Sequence, residues 1–186
     1  MPMLGTTSRY AAVLASAILS GVTVANAEDV VRTPLPDGNP FPISAAVTVP
    51  AGYDTVYVSG ALPDVINKDA PKDSVEAYGD MATQAESALT KIKASLARLG
   101  LSMGDVVKMT VFMVADPAKG NKLDFAGLMS GYTKFFGSAE QPNKPARSAV
   151  QVAALVAPGA LVEIEVIAVT PHKAETHPGK THKGGK

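Results

Sequence analysis

The spacing of apolar residues changes period several times along the chain, and each change marks an element. In AAVTVPAGYDTVYVSG, residues 45–60, two short β-branched runs flank Pro50-Ala51-Gly52, which predicts a hairpin ending at Ser59-Gly60. Residues 63–72, rich in Pro, Asp, Asn and Lys, read as a loop. From Ser74 the spacing becomes helical: Tyr78, Met81, Ala85, Leu89, Ile92, Leu96 and Leu99 recur at three and four, with Glu76, Asp80, Lys93 and Arg98 elsewhere around the cylinder. Asp73 or Ser74 suits the start of this long helix, and Gly100 suits a left-handed residue at its end. DVVKMTVFMVAD, residues 105–116, follows as a strand buried on much of its surface. A second helix is predicted over 122–136, with Phe125, Leu128 or Met129, Tyr132 and Phe135 on one face; its aromatics read as core rather than as a ligand cage. PARSAVQVAALVAPGALVEIEVIAV, residues 145–169, splits at Ala157-Pro158-Gly159 into two strands expected to form a hairpin.

The resulting order, β-β-α-β-α-β-β, predicts an α+β domain: one mixed sheet with two helices on one side. The uncovered face would then carry apolar residues, such as those of the final strand, into water. A patch of that size marks an interface, so a symmetric homo-oligomer with facing sheets is expected.

Outside this domain, residues 43–171, the composition changes. Residues 1–27 combine Arg9, an apolar run and Ala25-Asn26-Ala27, the pattern of a cleavable export signal, and the apolar run is shorter than the roughly 20 residues a membrane anchor needs. This predicts a periplasmic protein beginning at Glu28. Residues 28–42 read as an extended leader without period, and residues 172–186 as a disordered basic tail. The tail's His172, His177 and His182 recur every five residues, which could suit a loose metal site, but without a fixed backbone the spacing is a weak signal and a solvated tail is the preferred reading. The core from Glu28 to Pro171 holds 12 basic and 16 acidic residues, a balance that argues against a nucleic-acid surface. With no cysteine there is neither a disulfide nor thiol chemistry.

Arg147 is the residue that the pattern does not explain. A guanidinium keeps its charge inside a protein, so one entering a sheet needs an anion, from the protein or from a ligand. Period two sets Glu163 and Glu165 on one face of the last strand and Val162, Ile164 and Val166 on the other. Across the expected hairpin, Arg147 could approach one of these acids as a structural ion pair.

The residues 145–169 resemble the C-terminal signature of the Rid family, the reactive imine/enamine deaminases also grouped as YjgF-like or L-PSP proteins. The resemblance continues through YVSGALP, GLSMGDVVKMTVFMVAD and FAGLMSGYTKFFG. It implies a chorismate-mutase-like fold, a homotrimer with sites between subunits, and hydrolysis of 2-imino or 2-enamino acids to 2-keto acids and ammonia without metal or organic cofactor. In that family Arg147 would clamp the substrate carboxylate and Glu163 would orient the attacking water. The Ala149 carbonyl would help to hold that water, and the main chain of Ser59 and Gly60 would line the pocket. Two positions depart from many relatives: Ala46 stands where they have tyrosine, and Met129 where they have asparagine. The implied pocket is roomier and less polar, which points to a larger, more apolar substrate or to poor activity on small imino acids. The alternative reading is a non-catalytic periplasmic trimer that binds small carboxylates. An endoribonuclease, as some relatives have been described, fits poorly with the acidic core.

Overall fold

In the computed structural model, which describes residues 29–172, nine elements run in the order β1 (Val31–Thr33), β2 (Ala46–Thr48), β3 (Tyr53–Ala61), α1 (Val75–Tyr78), α2 (Met81–Arg98), β4 (Val106–Met113), α3 (Phe125–Tyr132), β5 (Ala146–Gln151) and β6 (Val162–Pro171). The signal-like segment and the tail after His172 lie outside the described residues.

The long helix is interrupted. Gly79 adopts φ +83° and ends α1 after one turn, and Asp80 then starts α2 with extended backbone and a carboxylate that accepts from Thr83 N–H at 2.9 Å. Ser74 stands at the start of α1, but its hydroxyl donates to Pro71 O and makes no cap. At the far end Gly100, with φ +73°, donates to Ala97 O while Leu101 donates to Leu96 O, the paired bonds of a glycine C-cap. The cap makes a prediction. The Thr83 N–H holds the Asp80 carboxyl below the usual carboxylate range. Its stabilisation is therefore present above pH ~4 and lost as the pH falls through the lowered value. Asp80→Ala is expected to cost about 1 kcal/mol at pH 7, and urea unfolding of variant and wild type should converge towards pH 2.

The second helix is shorter than its apolar spacing predicts. Asn121 takes φ +57° and Asp116 bridges to Lys122, so helical geometry starts only after Asp124, whose carboxylate accepts from Gly127 N–H at 2.8 Å. α3 lies close on α2 because Gly131 faces it: a Cβ there would stand 2.8 Å from the Ala82 carbonyl oxygen.

Four strands form the main sheet in the order β3-β6-β4-β5, with β4 and β5 parallel and the other pairs antiparallel. This is the expected α+β architecture, with α2 and α3 covering one face. Both expected hairpins are corrected. β2 pairs with β1 in a separate two-stranded ribbon, not with β3, so the leader is partly strand. Arg32 on β1 ties this ribbon down by donating to the carbonyls of Gly104, Val106 and Lys144 at 2.8–3.0 Å. β5 and β6 flank β4 on opposite sides, and the ten residues between them are too many for a tight turn. Buried Gln84 holds that connection by accepting from Leu161 N–H at 2.7 Å and donating to the carbonyls of Gly79 and Gly159.

The open sheet face bears out part of the expected apolar patch. Met109, Val111, Met113, Val162, Ile164 and Val166 point into the core beneath the helices. The open face carries the alternate residues: Glu163, Glu165 and Ile167 on β6, Lys108, Thr110 and Phe112 on β4, Val150 on β5 and Tyr57 on β3. The first half of the final strand therefore buries Val162, Ile164 and Val166 and turns its carboxylates outward, because the helices cover the side that gains most from leaving water.

Candidate active site

β5 is the edge strand beside β4, and its first residues set the direction of Arg147. Arg147 is in register with Met109, so it shares the helix-covered face and reaches α3. Three rings surround its guanidinium: Tyr132 with its centroid 4.4 Å from Cζ, Phe41 at 5.4 Å and Phe125 at 5.7 Å. The Arg147 Nη1 points at the Met129 sulfur at 3.4 Å, a weak acceptor. Burial pushes the guanidinium pKa down, but such a group remains charged at any ordinary pH. Cation–π contacts offset part of the desolvation.

Among the described residues no carboxylate pairs with Arg147: the ion pairs are Lys91 with Asp64, Lys119 with Asp124, Lys134 with Glu86, and His172 with Asp54. Tyr132 does not serve as the anion, since burial raises its phenol well above the ordinary value and its hydroxyl donates to Pro42 O at 2.8 Å. The structure thus holds a half-buried cation in an aromatic enclosure with no matching charge among the described residues.

The two glutamates lie elsewhere. Glu163 is in register with Phe112 and Glu165 with Thr110, so both stand on the open face, opposite to Arg147 and separated from β5 by the whole of β4. This corrects the expectation that Arg147 approaches one of them across a hairpin. Glu163 instead leans on β3, where the pairing shifts between Val58 and Ala61. Its carboxylate occupies the space that a side chain on Gly60 would need. A glycine is required there for that close approach. Gly60→Ala is accordingly expected to turn the Glu163 carboxylate aside, which a crystal structure of the variant would show, with the melting temperature close to wild type, since only the end of a flexible side chain has to move.

The residues singled out in the sequence therefore fall into two groups. Arg147, Ala149 and Met129 gather on the helix side, with Ala149 in register with Val111 and packed on the core. Glu163, Ser59 and Gly60 gather on the open side at β3 and β6. Ala46 joins neither group: it pairs with Thr33 in the exposed ribbon. Phe41 occupies the early-segment position against Arg147. Its signal in the sequence was a large aromatic between Pro40 and Pro42 in an otherwise polar leader. The α3 aromatics also serve two purposes, because Tyr132 is fully buried in the core and still presents its ring to the guanidinium.

A family model described as Endoribonuclease L-PSP matches residues 39–170. The chain is 36% identical to the 3-aminoacrylate deaminase RutC of Acinetobacter baylyi over 72% of its own length and 94% of that protein. It is 38% identical to Protein DfrA of Myxococcus xanthus over 69% of its length and 86% of the relative. Among solved structures, the Rid-family protein YyfB of Yersinia pestis superposes with a TM-score of 0.53 at 25% identity, covering 70% of this chain and 89% of the other.

Proposed function

The chain belongs to the L-PSP (Rid) family, and from that premise we propose that it hydrolyses 2-imino or 2-enamino acids to 2-keto acids and ammonia. The observation that carries this reading is the unpaired Arg147 guanidinium in its aromatic enclosure. Its planar fork matches a carboxylate in bidentate fashion, and the missing counter-charge then arrives with the substrate. Glu163 orients a water towards the imine carbon, which is already electrophilic once its nitrogen is protonated. The Ala149 carbonyl and the main chain at Ser59 and Gly60 complete the pocket. In this reading the protein acts in the periplasm, after removal of residues 1–27.

Because Arg147 and Glu163 lie on opposite faces of one sheet, a complete site requires two copies of the chain, with Arg147 from one and Glu163 from its neighbour in a homotrimer. The same separation favours the second reading, a carboxylate binder that does no chemistry, if assembly never brings Glu163 to a bound ligand. The deciding assay generates 2-imino acids in situ with an amino-acid oxidase and follows keto-acid formation. Acceleration by the mature protein supports the hydrolase. Unchanged rates for every side chain, with carboxylates still raising the melting temperature, would select the binder.

A further inference from the structure

We infer that Phe41 and Phe125 form a side-chain site beside the carboxylate clamp, and that this site selects carboxylates with an aromatic or bulky apolar substituent. The inference rests on Arg147 being the carboxylate clamp. The two rings are nearly parallel, 12° apart with centroids separated by 6.2 Å, and both lie within 6 Å of the Arg147 Cζ. A carboxylate held by both guanidinium nitrogens has its carbon about 4 Å from Cζ, so a substituent directed towards Phe41 or Phe125 comes within van der Waals reach of a ring. Phe125 is 40% exposed and Phe41 only partly buried, so neither ring is used up by the core.

The neighbouring Met129 adds a further apolar surface. Met129 presents its sulfur to Nη1 and has no donor with which to hold a hydroxyl or amide on the ligand. A polar substituent would leave water at this wall and gain no partner, whereas a flat apolar one exchanges water for ring contact.

Phe41 is held in place before any ligand arrives. Its N–H donates to the Asn39 side chain at 3.0 Å and its carbonyl accepts from Ile43 N–H at 2.8 Å. The next residue's carbonyl, Pro42 O, accepts from the Tyr132 hydroxyl. Little ordering therefore remains to oppose binding at this ring. The leader segment, a proline-rich connector by composition, supplies a specificity-determining residue.

The test is isothermal titration of the mature protein with butanoate and with 3-phenylpropanoate. The phenyl compound is expected to bind about tenfold more tightly, the scale of one ring stacked against an aromatic wall. Phe41→Ala should reduce that ratio to below about threefold, and Phe41→Leu should give an intermediate value, with folding of each variant checked by its thermal transition. Equal affinity for the two ligands in the wild type would overturn this inference and leave the carboxylate clamp standing. So would a ratio unmoved by Phe41→Ala. Binding of neither ligand, or binding that survives Arg147→Ala, would overturn the clamp and this inference with it.

Discussion

Replacing Arg147 with methionine is expected to remove imine hydrolysis and carboxylate binding while leaving the fold as stable as wild type, or more so. The two halves of this result have one cause. A buried charge that has a protein partner leaves an unpaired ion behind when it is removed, which destabilises strongly. Arg147 has no such partner among the described residues, so methionine leaves nothing orphaned and ends the desolvation of a half-buried guanidinium. What is lost is the cation–π contact with Tyr132, Phe41 and Phe125, which apolar packing of the methionine against the same rings largely replaces. Truncating one member of a hydrogen-bonded charge pair across an interface costs about 2–5 kcal/mol. If the substrate carboxylate is the other member, kcat/KM falls by roughly thirtyfold to several thousandfold. Arg147→Lys should recover only a small part of this, because an ammonium retains the charge but not the planar fork. The checks are keto-acid formation from imines generated in situ and the midpoint of thermal unfolding. A methionine variant that melts far below wild type would mean that the guanidinium is a structural element and would remove the main support for a ligand-paired cation.

Periodicity revealed the layers of this fold but not the partners of its strands. Alternation on β6 put Glu163 and Glu165 on one side and the aliphatic residues on the other, and spacing at three and four located α2. Pairing depends on where distant segments meet, and no local signal carried it. The run before Pro50 and the run after Gly52 look like a hairpin because both are β-branched. Yet β2 finds its partner in Val31–Thr33, a stretch whose polar surroundings hide its role. Arg32 explains that choice, since its bonds to the three carbonyls bring β1 to a place that the apolar pattern does not mark. The parallel pairing of β5 on β4 was similarly hidden, and it reverses which face Arg147 serves.

The candidate site was legible to the extent that its residues lie in a recognisable signature. Arg147, Glu163 and Met129 were all picked out, and the structure places Met129 against Arg147. Ala46 was picked out by its place in the same comparison but stands in the exposed ribbon, whereas the ring that reaches Arg147 from the early segment belongs to Phe41. Phe41 lies within the residues 39–170 that the family model matches, but its side chain reaches Arg147 only because the segment folds back on contacts that its local pattern does not show.

Opposite placement of the two charged residues gives the second large expected effect. Glu163→Gln should lower kcat by about two to four orders of magnitude, the range for losing a positioned acid–base or water-orienting group. Carboxylate affinity should stay near wild type, because in this reading Glu163 acts on the water and Arg147 alone holds the carboxylate. Arg147→Ala should have the reverse character and lose binding. If each site takes Arg147 from one chain and Glu163 from the next, these two inactive variants complement one another. In any cyclic trimer containing both, one of the three junctions pairs an intact Arg147 with an intact Glu163 in the required direction. Co-expression with two different tags, followed by purification on both, should therefore give about one third of wild-type activity per trimer. Sites built within a single chain would give none, since every chain in the mixture lacks one of the two groups. Absence of recovery in mixed assemblies would sink the shared site. Recovery would show that the open sheet face and the helix-side enclosure, separated by β4 in one copy, meet around one substrate in the assembly.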